Sequence, residues 1–138
     1  MIMPMLEVKD VDASTQFYAD TLGFQRQFSM AGPDGQTSFA MVGLGPAIAL
    51  GFNRNSALEQ RGQGVDFMLY VPDDVDLDRH YESVKGKGVT IEEEIGDRYW
   101  GDRTYSVKDP DGYLLTFART VKQMTPEEIQ AMQGAQGA

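Results

Sequence analysis

The feature that most constrains the fold of this chain is an internal repeat. Each half runs from a strand-like apolar segment into an acidic turn, a helix, and a glycine that precedes another strand. Acidic residues suit a helix N-terminus, where they accept hydrogen bonds from free N–H groups and oppose the helix dipole. The repeat comprises Leu6-Glu7-Val8-Lys9-Asp10-Val11-Asp12, Phe17-Tyr18 and Leu22-Gly23-Phe24 in the first half, and Leu69-Tyr70-Val71-Pro72-Asp73-Asp74-Val75-Asp76, Tyr81, Val84 and Gly88-Val89 in the second.

Each half continues with three strand candidates, so each half is predicted to be a βαβββ module. In the second helix, Leu77, Tyr81 and Val84 form one apolar stripe. Gly23 and Gly88 suit helix C-termini, where the backbone adopts a positive φ. The predicted strands are 24–31, 36–43, 46–53, 89–96, 102–108 and 113–119, with turns at Pro33-Asp34-Gly35 and Asp109-Pro110-Asp111-Gly112.

These elements predict an α+β fold in which two βαβββ modules form a cupped mixed sheet with the helices outside, plus a short C-terminal helix. With 138 residues, the chain is long enough for one compact domain. Thr125-Pro126-Glu127-Glu128 has the capping-box spacing, which predicts a helix through about Met132 and a frayed tail from Gly134. The predicted boundaries are 1–120 for the domain, with modules 1–53 and 64–120 and a linker at 54–63, and 121–138 for the C-terminal helix and flexible tail.

The composition excludes several classes of function. A formal net charge of −9 repels polyanions and argues against nucleic acid as a partner. The acidity serves solubility or attracts a cationic ligand, and both interpretations stay open. The sequence contains no cysteine, which excludes disulfides and thiolate metal sites and fits a cytoplasmic location. No apolar run approaches the roughly 18 residues of a membrane span, and the N-terminus lacks the basic flank of a signal peptide.

Two groups of motifs resemble the glyoxalase/bleomycin-resistance/dioxygenase (vicinal oxygen chelate) superfamily. The resemblance covers about residues 2–119 and implies a cupped sheet in each module, with a ligand in the cup. It also implies a homodimer whose cups lie near the interface between subunits. The motifs are Val8-Lys9-Asp10-Val11-Asp12, Phe17-Tyr18 and Leu22-Gly23-Phe24 in the first module, and Trp100-Gly101-Asp102-Arg103 and Asp109-Pro110-Asp111-Gly112-Tyr113 in the second.

The same resemblance locates the positions at which relatives bind a divalent metal ion with His or Glu. Here those positions are Met3, Ala49, Asp66 and Thr116. A thioether, a methyl group, one carboxylate and one hydroxyl are a poor donor set for such an ion. We therefore expect neither a metal nor another cofactor. The single histidine, His80, lies on the second helix and is expected at the surface or in helix packing, the alternative being a ligand or catalytic role.

Strand alternation extends the predicted cup from these four positions. The lining is apolar and rich in methionine, which suits a bulky aromatic ligand. Glu7 and Asp66 would favour a ligand with a positive charge or several donors. The alternative is that the methionines fill a closed cup. The cup-facing residues are Met3, Met5, Glu7, Ala49, Asp66, Met68, Tyr70, Leu114, Thr116 and Ala118, and the opposite face carries Val8, Phe67, Leu69, Val71, Tyr113, Leu115 and Phe117.

The segment around Trp100 is the second candidate for ligand contact. Metal-free bleomycin-resistance proteins have a similar W-G pair, so Trp100 and Tyr99 can stack on a planar ligand. Alternatively, Trp100 closes one end of the core or the dimer interface. Arg98 and Arg103 either form ion pairs with Glu92–Glu94 or contact the ligand.

The leading hypothesis is a metal-free, homodimeric small-molecule binder that resembles the bleomycin-resistance proteins and sequesters a bulky, cationic aromatic compound. The rival is a lyase, isomerase or dioxygenase-like enzyme with an altered active site, in which Asp66 or Glu7 acts as general base. A third hypothesis is a regulatory or interaction module that takes no ligand.

Overall fold

The computed structural model describes residues 2–59 and 64–136, and it confirms the α+β class. Two four-stranded mixed sheets are followed by a C-terminal helix. The first helix continues directly into a π-helical segment, Phe17–Thr21. The strands are β1 Met5–Val8, β2 Gln25–Ala31, β3 Thr37–Leu44, β4 Ile48–Arg54, β5 Asp66–Tyr70, β6 Ile91–Asp97, β7 Asp102–Lys108 and β8 Leu114–Thr120, and the helices are α1 Val11–Gln16, α2 Leu77–Gly86 and α3 Pro126–Gln136.

The two sheets have the same topology, which confirms the repeat predicted from the sequence. In the first sheet the order is β1-β4-β3-β2, with β1 parallel to β4 and the other pairs antiparallel. In the second sheet the order is β5-β8-β7-β6, with β5 parallel to β8. The predicted strands are all present, with small shifts at their ends. Among the described residues, no helix is long and apolar enough to cross a membrane.

Alternating side chains along the strands build one core that both modules share. Leu6 and Val8 of β1 are buried, as are Leu115 and Phe117 of β8. The rings of Phe24 and Phe117, from different modules, are in edge contact at 6.4 Å between centroids. Burying a side chain of this size contributes about 1.5–3 kcal/mol. The helix-facing residues of the two sheets therefore hold the modules together, and the other face of each sheet takes no part in this core.

Both ring nitrogens of His80 are hydrogen-bonded, and the bond made by Nε2 joins the two modules. Its Nε2 lies 2.6 Å from the Leu22 carbonyl oxygen, which can only accept, so Nε2 carries the proton. The Nδ1 atom then accepts from the Tyr105 hydroxyl at 2.5 Å. Burial lowers the pKa of the imidazole, which favours this neutral form. His80 thus has a packing role, one of the two roles considered from the sequence.

The helix ends follow the predicted chemistry. Asp10 accepts a hydrogen bond from the Ala13 amide at the start of α1, and Asp76 accepts one from the Arg79 amide at the start of α2. Gly23 has a φ of 81°, as expected for a glycine after a helix.

The capping box of α3 is also formed, but the helix is longer than predicted. The Glu128 amide donates to Thr125 Oγ1 at 3.1 Å, and the Thr125 amide donates to Glu128 Oε1 at 3.4 Å. Helix α3 extends to Gln136, so the expected end near Met132 and the frayed tail from Gly134 are wrong for residues 134–136. Intrinsic helix propensity of the glutamines and alanines around this glycine accounts for the extension. Residues 137–138 of the tail and 60–63 of the linker lie outside the described residues.

Candidate functional site

A pocket of about 400 Å³ lies on the second sheet, on the face opposite α2. This volume is within the range of small-molecule sites. Strands β5 and β8 form one side of it, and β7, β6 and the turn before β7 form the rest. The lining residues are Asp66, Met68, Glu92, Glu93, Trp100, Thr104, Ser106, Lys108, Leu114 and Thr116.

Three side chains on neighbouring strands form a hydrogen-bonded chain along the wall of the pocket. Thr116 Oγ1 donates to Asp66 Oδ1 at 2.9 Å. Ser106 Oγ lies 2.8 Å from the same Thr116 oxygen. Ser106 and Thr116 are both only 5% exposed, whereas Asp66 is open to solvent. Asp66 and Thr116, two of the four positions that the resemblance assigns to a metal site, are therefore in direct contact.

The position of Trp100 in the pocket depends on the carboxylate of Asp102, which is buried and only 4% exposed. Its Oδ2 accepts hydrogen bonds from Trp100 Nε1 at 3.1 Å and from the Tyr70 hydroxyl at 2.6 Å. Its Oδ1 accepts from Thr120 Oγ1 at 2.9 Å. The hydrogen bond to Asp102 also raises the pKa of Tyr70, because it favours the protonated phenol. Asp102 thus fixes the Trp100 ring at the wall of the pocket.

The turn that carries Trp100 depends on Gly101. Its φ is 102°, and a Cβ at this position would lie 2.2 Å from the Lys122 carbonyl oxygen. The Gly101 amide donates to the Arg98 carbonyl, which closes the turn before β7. The Tyr99 ring packs edge-on against Trp100, with 5.0 Å between centroids. Tyr99 supports the indole from the side and does not itself line the pocket.

The predicted residues of the first module lie on the other sheet or just before it, and they are not among the residues that line this pocket. Met5 and Glu7 point to the exposed face of β1, as strand alternation predicts. The Met5 side chain crosses the adjacent strand at Gly51, where a Cβ would lie 2.5 Å from its sulfur. Met3 precedes β1, and Ala49 lies on β4. The single cup predicted from the sequence is thus divided between two sheets within one chain, because only the helix-facing sides of the modules pack together.

The two arginines near Trp100 have different surroundings. Arg98 forms an ion pair with Glu93 at 3.1 Å, and its Nε donates to Thr104 Oγ1 at 2.8 Å. Arg103 points to the helix side of β7, where it forms ion pairs with Asp78 at 2.7 Å and Asp97 at 3.0 Å. The Arg98 ion pair matches one of the predicted partners, whereas the partners of Arg103 lie outside Glu92–Glu94. Arg103 does not line the pocket.

Sequence reasoning missed the contribution of β7. Thr104, Ser106 and Lys108 of this strand all line the pocket, and Asp102 at its start holds Trp100. Strand alternation from Asp102 would have placed these residues on one face. No motif marked which face that was, because the family pattern concerns the first and last strands of each module.

The donor set at the four positions that the resemblance assigns to a metal does not fit a divalent ion. In the described ranges, no three His, Cys, Asp or Glu side chains cluster closely enough to hold a metal ion. At the site itself, Asp66 supplies one carboxylate, and its partner Thr116 is a neutral hydroxyl whose proton is directed at that carboxylate. A divalent ion needs several anionic or imidazole donors converging at about 2.0–2.2 Å.

A second depression, of about 480 Å³, lies between α1 and β2. It is slightly larger than the pocket on the second sheet, but it contains no residue predicted from the sequence to contact a ligand. Its lining is largely polar, with Phe28 as its one aromatic residue among those described. The pocket with Trp100, whose ring is held in place, is therefore the better candidate for an aromatic ligand.

The fold and the pocket can be compared with known proteins. The family model of the Glyoxalase/Bleomycin resistance protein/Dioxygenase superfamily matches residues 2–117. The chain therefore belongs to this superfamily, which confirms the resemblance drawn from the motifs.

Individual relatives are distant. An uncharacterised protein of Mycobacterium bovis is 26% identical over 145 residues, covering 99% of this chain and 93% of that protein. The lactoylglutathione lyase of Haemophilus influenzae is 28% identical over 119 residues, covering 82% of this chain and 87% of the lyase. The crystal structure of TioX from Micromonospora sp. ML1 has a TM-score of 0.69 at 22% identity, covering 86% of this chain and 97% of TioX. This last similarity concerns the fold alone.

Proposed function

We propose that this protein binds and sequesters a bulky aromatic compound without a metal ion, and that planar cations are its favoured class of ligand. The observation that carries the proposal is the pocket of about 400 Å³ in which Trp100 is held by the buried Asp102. An immobilised indole can stack on a planar ligand at little entropic cost, and such a contact is worth about 0.5–1.5 kcal/mol beyond area burial.

The charges around the pocket support a cationic ligand. Asp66, Glu92 and Glu93 line it with carboxylates, and Lys108 is the one basic residue in the lining that the structure describes. The formal net charge of the whole chain is −9. A planar cation is attracted by both the local and the global field.

The residues proposed to contact the ligand come from both modules, and a homodimer would bring them together around one pocket. The cup-facing residues Met5, Met68 and Tyr70 are 45%, 41% and 50% exposed, and Phe28 and Met30 on β2 are 53% and 52% exposed. Large apolar side chains clustered on an exposed face are typical of a protein–protein interface. We propose that a second copy covers these faces, bringing Met3, Met5, Glu7 and Ala49 toward the pocket of its partner. Sedimentation analysis that finds only monomers at micromolar concentration would contradict this part of the proposal.

The binding function is tested with the single tryptophan as reporter. Planar aromatic cations are titrated into the protein while Trp100 emission and the heat of binding are followed. A Trp100→Leu variant should weaken binding by about threefold to tenfold, because the stacking contact is lost. Phe67→Leu is the matched control, since it removes a ring from the helix-facing side of β5. The proposal fails if no member of a broad panel binds, or if both variants bind as the wild type does.

A second candidate is an enzyme of the same superfamily with an altered active site. The relatives called lactoylglutathione lyase favour it, and Asp66 lines the pocket where a general base would be needed. Metal analysis of protein purified without chelators, together with an assay of lactoylglutathione turnover, distinguishes the two functions. Turnover that is lost in an Asp66→Asn variant would establish the enzyme. We also propose a cytoplasmic location, which a fluorescent fusion in the native cell would test.

A further inference from the structure

The hydrogen bonds between the hydroxyl groups of the pocket each have a fixed donor and acceptor. This follows because each hydroxyl can donate to only one of its neighbours. The Asp66 carboxylate accepts hydrogen bonds and does not donate them, so Thr116 must direct its proton to Asp66. Thr116 therefore has only lone pairs left for Ser106. The hydrogen bond between Ser106 and Thr116, 2.8 Å long, is then donated by Ser106. Ser106 consequently presents lone pairs, and no proton, to the pocket.

The Thr104 and Trp100 donors of the pocket wall also donate to acceptors within the protein. Thr104 Oγ1 accepts from Arg98 and donates to Glu93 Oε1 at 3.3 Å. Trp100 Nε1 donates to Asp102. Among the described lining residues, only the Lys108 ammonium remains as an uncommitted side-chain donor. The wall is thus rich in acceptors and poor in donors.

From this arrangement we infer that Ser106 is a specificity-determining residue that accepts a hydrogen bond from an N–H or O–H group of the ligand. Its polarity is set by Asp66 through Thr116. Ser106 is only 5% exposed, so a ligand that faces it without a donor leaves a buried acceptor unsatisfied. The preferred ligand is therefore an aromatic amine or phenol, and fully alkylated analogues of it should be rejected. This inference rests on the proposed binding function and adds a chemical class of ligand to it.

Two dyes of the same ring and charge provide the test. Both are used as cations methylated on the ring nitrogen, which removes the ring N–H donor. Proflavine then still carries two amino groups that can donate, whereas acridine orange carries dimethylamino groups that cannot. Calorimetric titration of the wild type should show proflavine binding about threefold to tenfold more tightly, the effect of one hydrogen bond to a buried acceptor.

Substitutions on the hydrogen-bonded chain separate hydrogen bonding from size. Thr116→Val has the same shape but cannot accept the Ser106 hydrogen bond, so the serine hydroxyl can rotate and also donate, and the preference should fall below that of the wild type. Ser106→Ala removes the acceptor and should have the same effect. Thr37→Val, the same substitution on β3 of the other sheet, should leave the preference unchanged.

The outcomes distinguish the inference from the function on which it rests. If neither dye nor any other member of the panel of planar aromatic cations binds the wild type, the proposed function is wrong and the inference falls with it. If both dyes bind the wild type equally, only the inference is overturned. A preference for proflavine that persists undiminished in Ser106→Ala would show that size alone excludes acridine orange, and this too would overturn the inference.

Discussion

The hydroxyl of Tyr18 donates a hydrogen bond of 2.8 Å to Asp109 Oδ2, and both side chains are buried. Tyr18 belongs to the helical segment of the first module, and Asp109 begins the turn before the last strand of the second. The other carboxylate oxygen of Asp109 accepts the amides of Asp111 and Tyr113. A single carboxylate thus shapes a turn and connects the two halves of the repeat.

Removal of the Tyr18 hydroxyl should destabilise the fold without affecting the pocket. A Tyr18→Phe variant leaves a buried carboxylate oxygen without this donor, which costs about 1–3 kcal/mol. Urea denaturation followed by circular dichroism measures the loss. Tyr99→Phe is the control, since no partner of the Tyr99 hydroxyl is found among the described residues. Equal stability of the two variants would contradict this role for Tyr18.

The stability of the protein should depend on the ionisation of Asp109. Burial raises its pKa to about 6, above its ordinary value of 3.8. The folded state therefore favours the protonated acid, and its stability falls as pH rises from about 4 to about 6. An Asp109→Asn variant has no charge to desolvate, and its amide oxygen can still accept the turn amides. As the pH rises from 4 to 7, the free energy of unfolding of this variant should therefore increase by about 1–3 kcal/mol relative to that of the wild type.

The control for this pH dependence is Asp74→Asn, which neutralises an exposed carboxylate. Denaturation curves of the three proteins at several pH values compare them directly. If the difference between wild type and Asp109→Asn does not change with pH, the carboxyl is not titrating in this range.

Asp102 should determine the environment of Trp100. In an Asp102→Asn variant, the amide group can face the indole N–H, and two donors then oppose each other across the former hydrogen bond. The ring is expected to loosen, which should shift tryptophan emission to the red and weaken binding of planar cations by about tenfold. Asp97→Asn serves as control, because Asp97 is exposed and pairs with Arg103. Unchanged emission in Asp102→Asn would exclude this anchoring role.

Gly101 should tolerate no side chain, for a steric as well as a conformational reason. A Cβ would lie 2.2 Å from the Lys122 carbonyl oxygen, and the φ of 102° is itself unfavourable for alanine. Gly35 has a φ of 81°, but a Cβ there would meet nothing within 4 Å, so Gly35 shares only the conformational cost. Gly35→Ala should lose about 1 kcal/mol, and Gly101→Ala should lose clearly more in the same thermal unfolding assay. Similar losses would mean that the chain near Lys122 can move away.

Periodic patterns predicted most of the fold because they act locally. The alternation in β1, β5 and β8 placed Val8, Leu69 and Leu115 in the core, and the structure confirms each of them. Acidic caps at Asp10 and Asp76 formed as expected, since a helix start needs only a few consecutive residues. The end of α3 was misplaced because Gly134 is a weak stop signal without a packing partner to enforce it.

The site was harder to predict because it depends on contacts between distant segments. The motifs located Asp66, Thr116 and Trp100, which do line one pocket. No sequence signal indicated that Asp102 would be buried, since its partners Tyr70 and Thr120 come from two other strands. The direction of the Ser106 hydroxyl follows from hydrogen bonds that link residues on three strands, and these strands become neighbours only in the folded sheet.

The cross-connections between the modules have a consequence for how the halves can exist apart. The carboxylate of Asp111, from the second module, accepts hydrogen bonds from the Lys9 amide and the Ser14 hydroxyl of the first. His80 of α2 donates a hydrogen bond to the Leu22 carbonyl oxygen. Either fragment produced alone would lose partners for its helix and uncover half of an aromatic core. Each is expected to aggregate by itself, and the two are expected to reconstitute a native complex when mixed. On this expectation, the duplicated architecture is a symmetry of the molecule and does not divide it into two autonomous folding units.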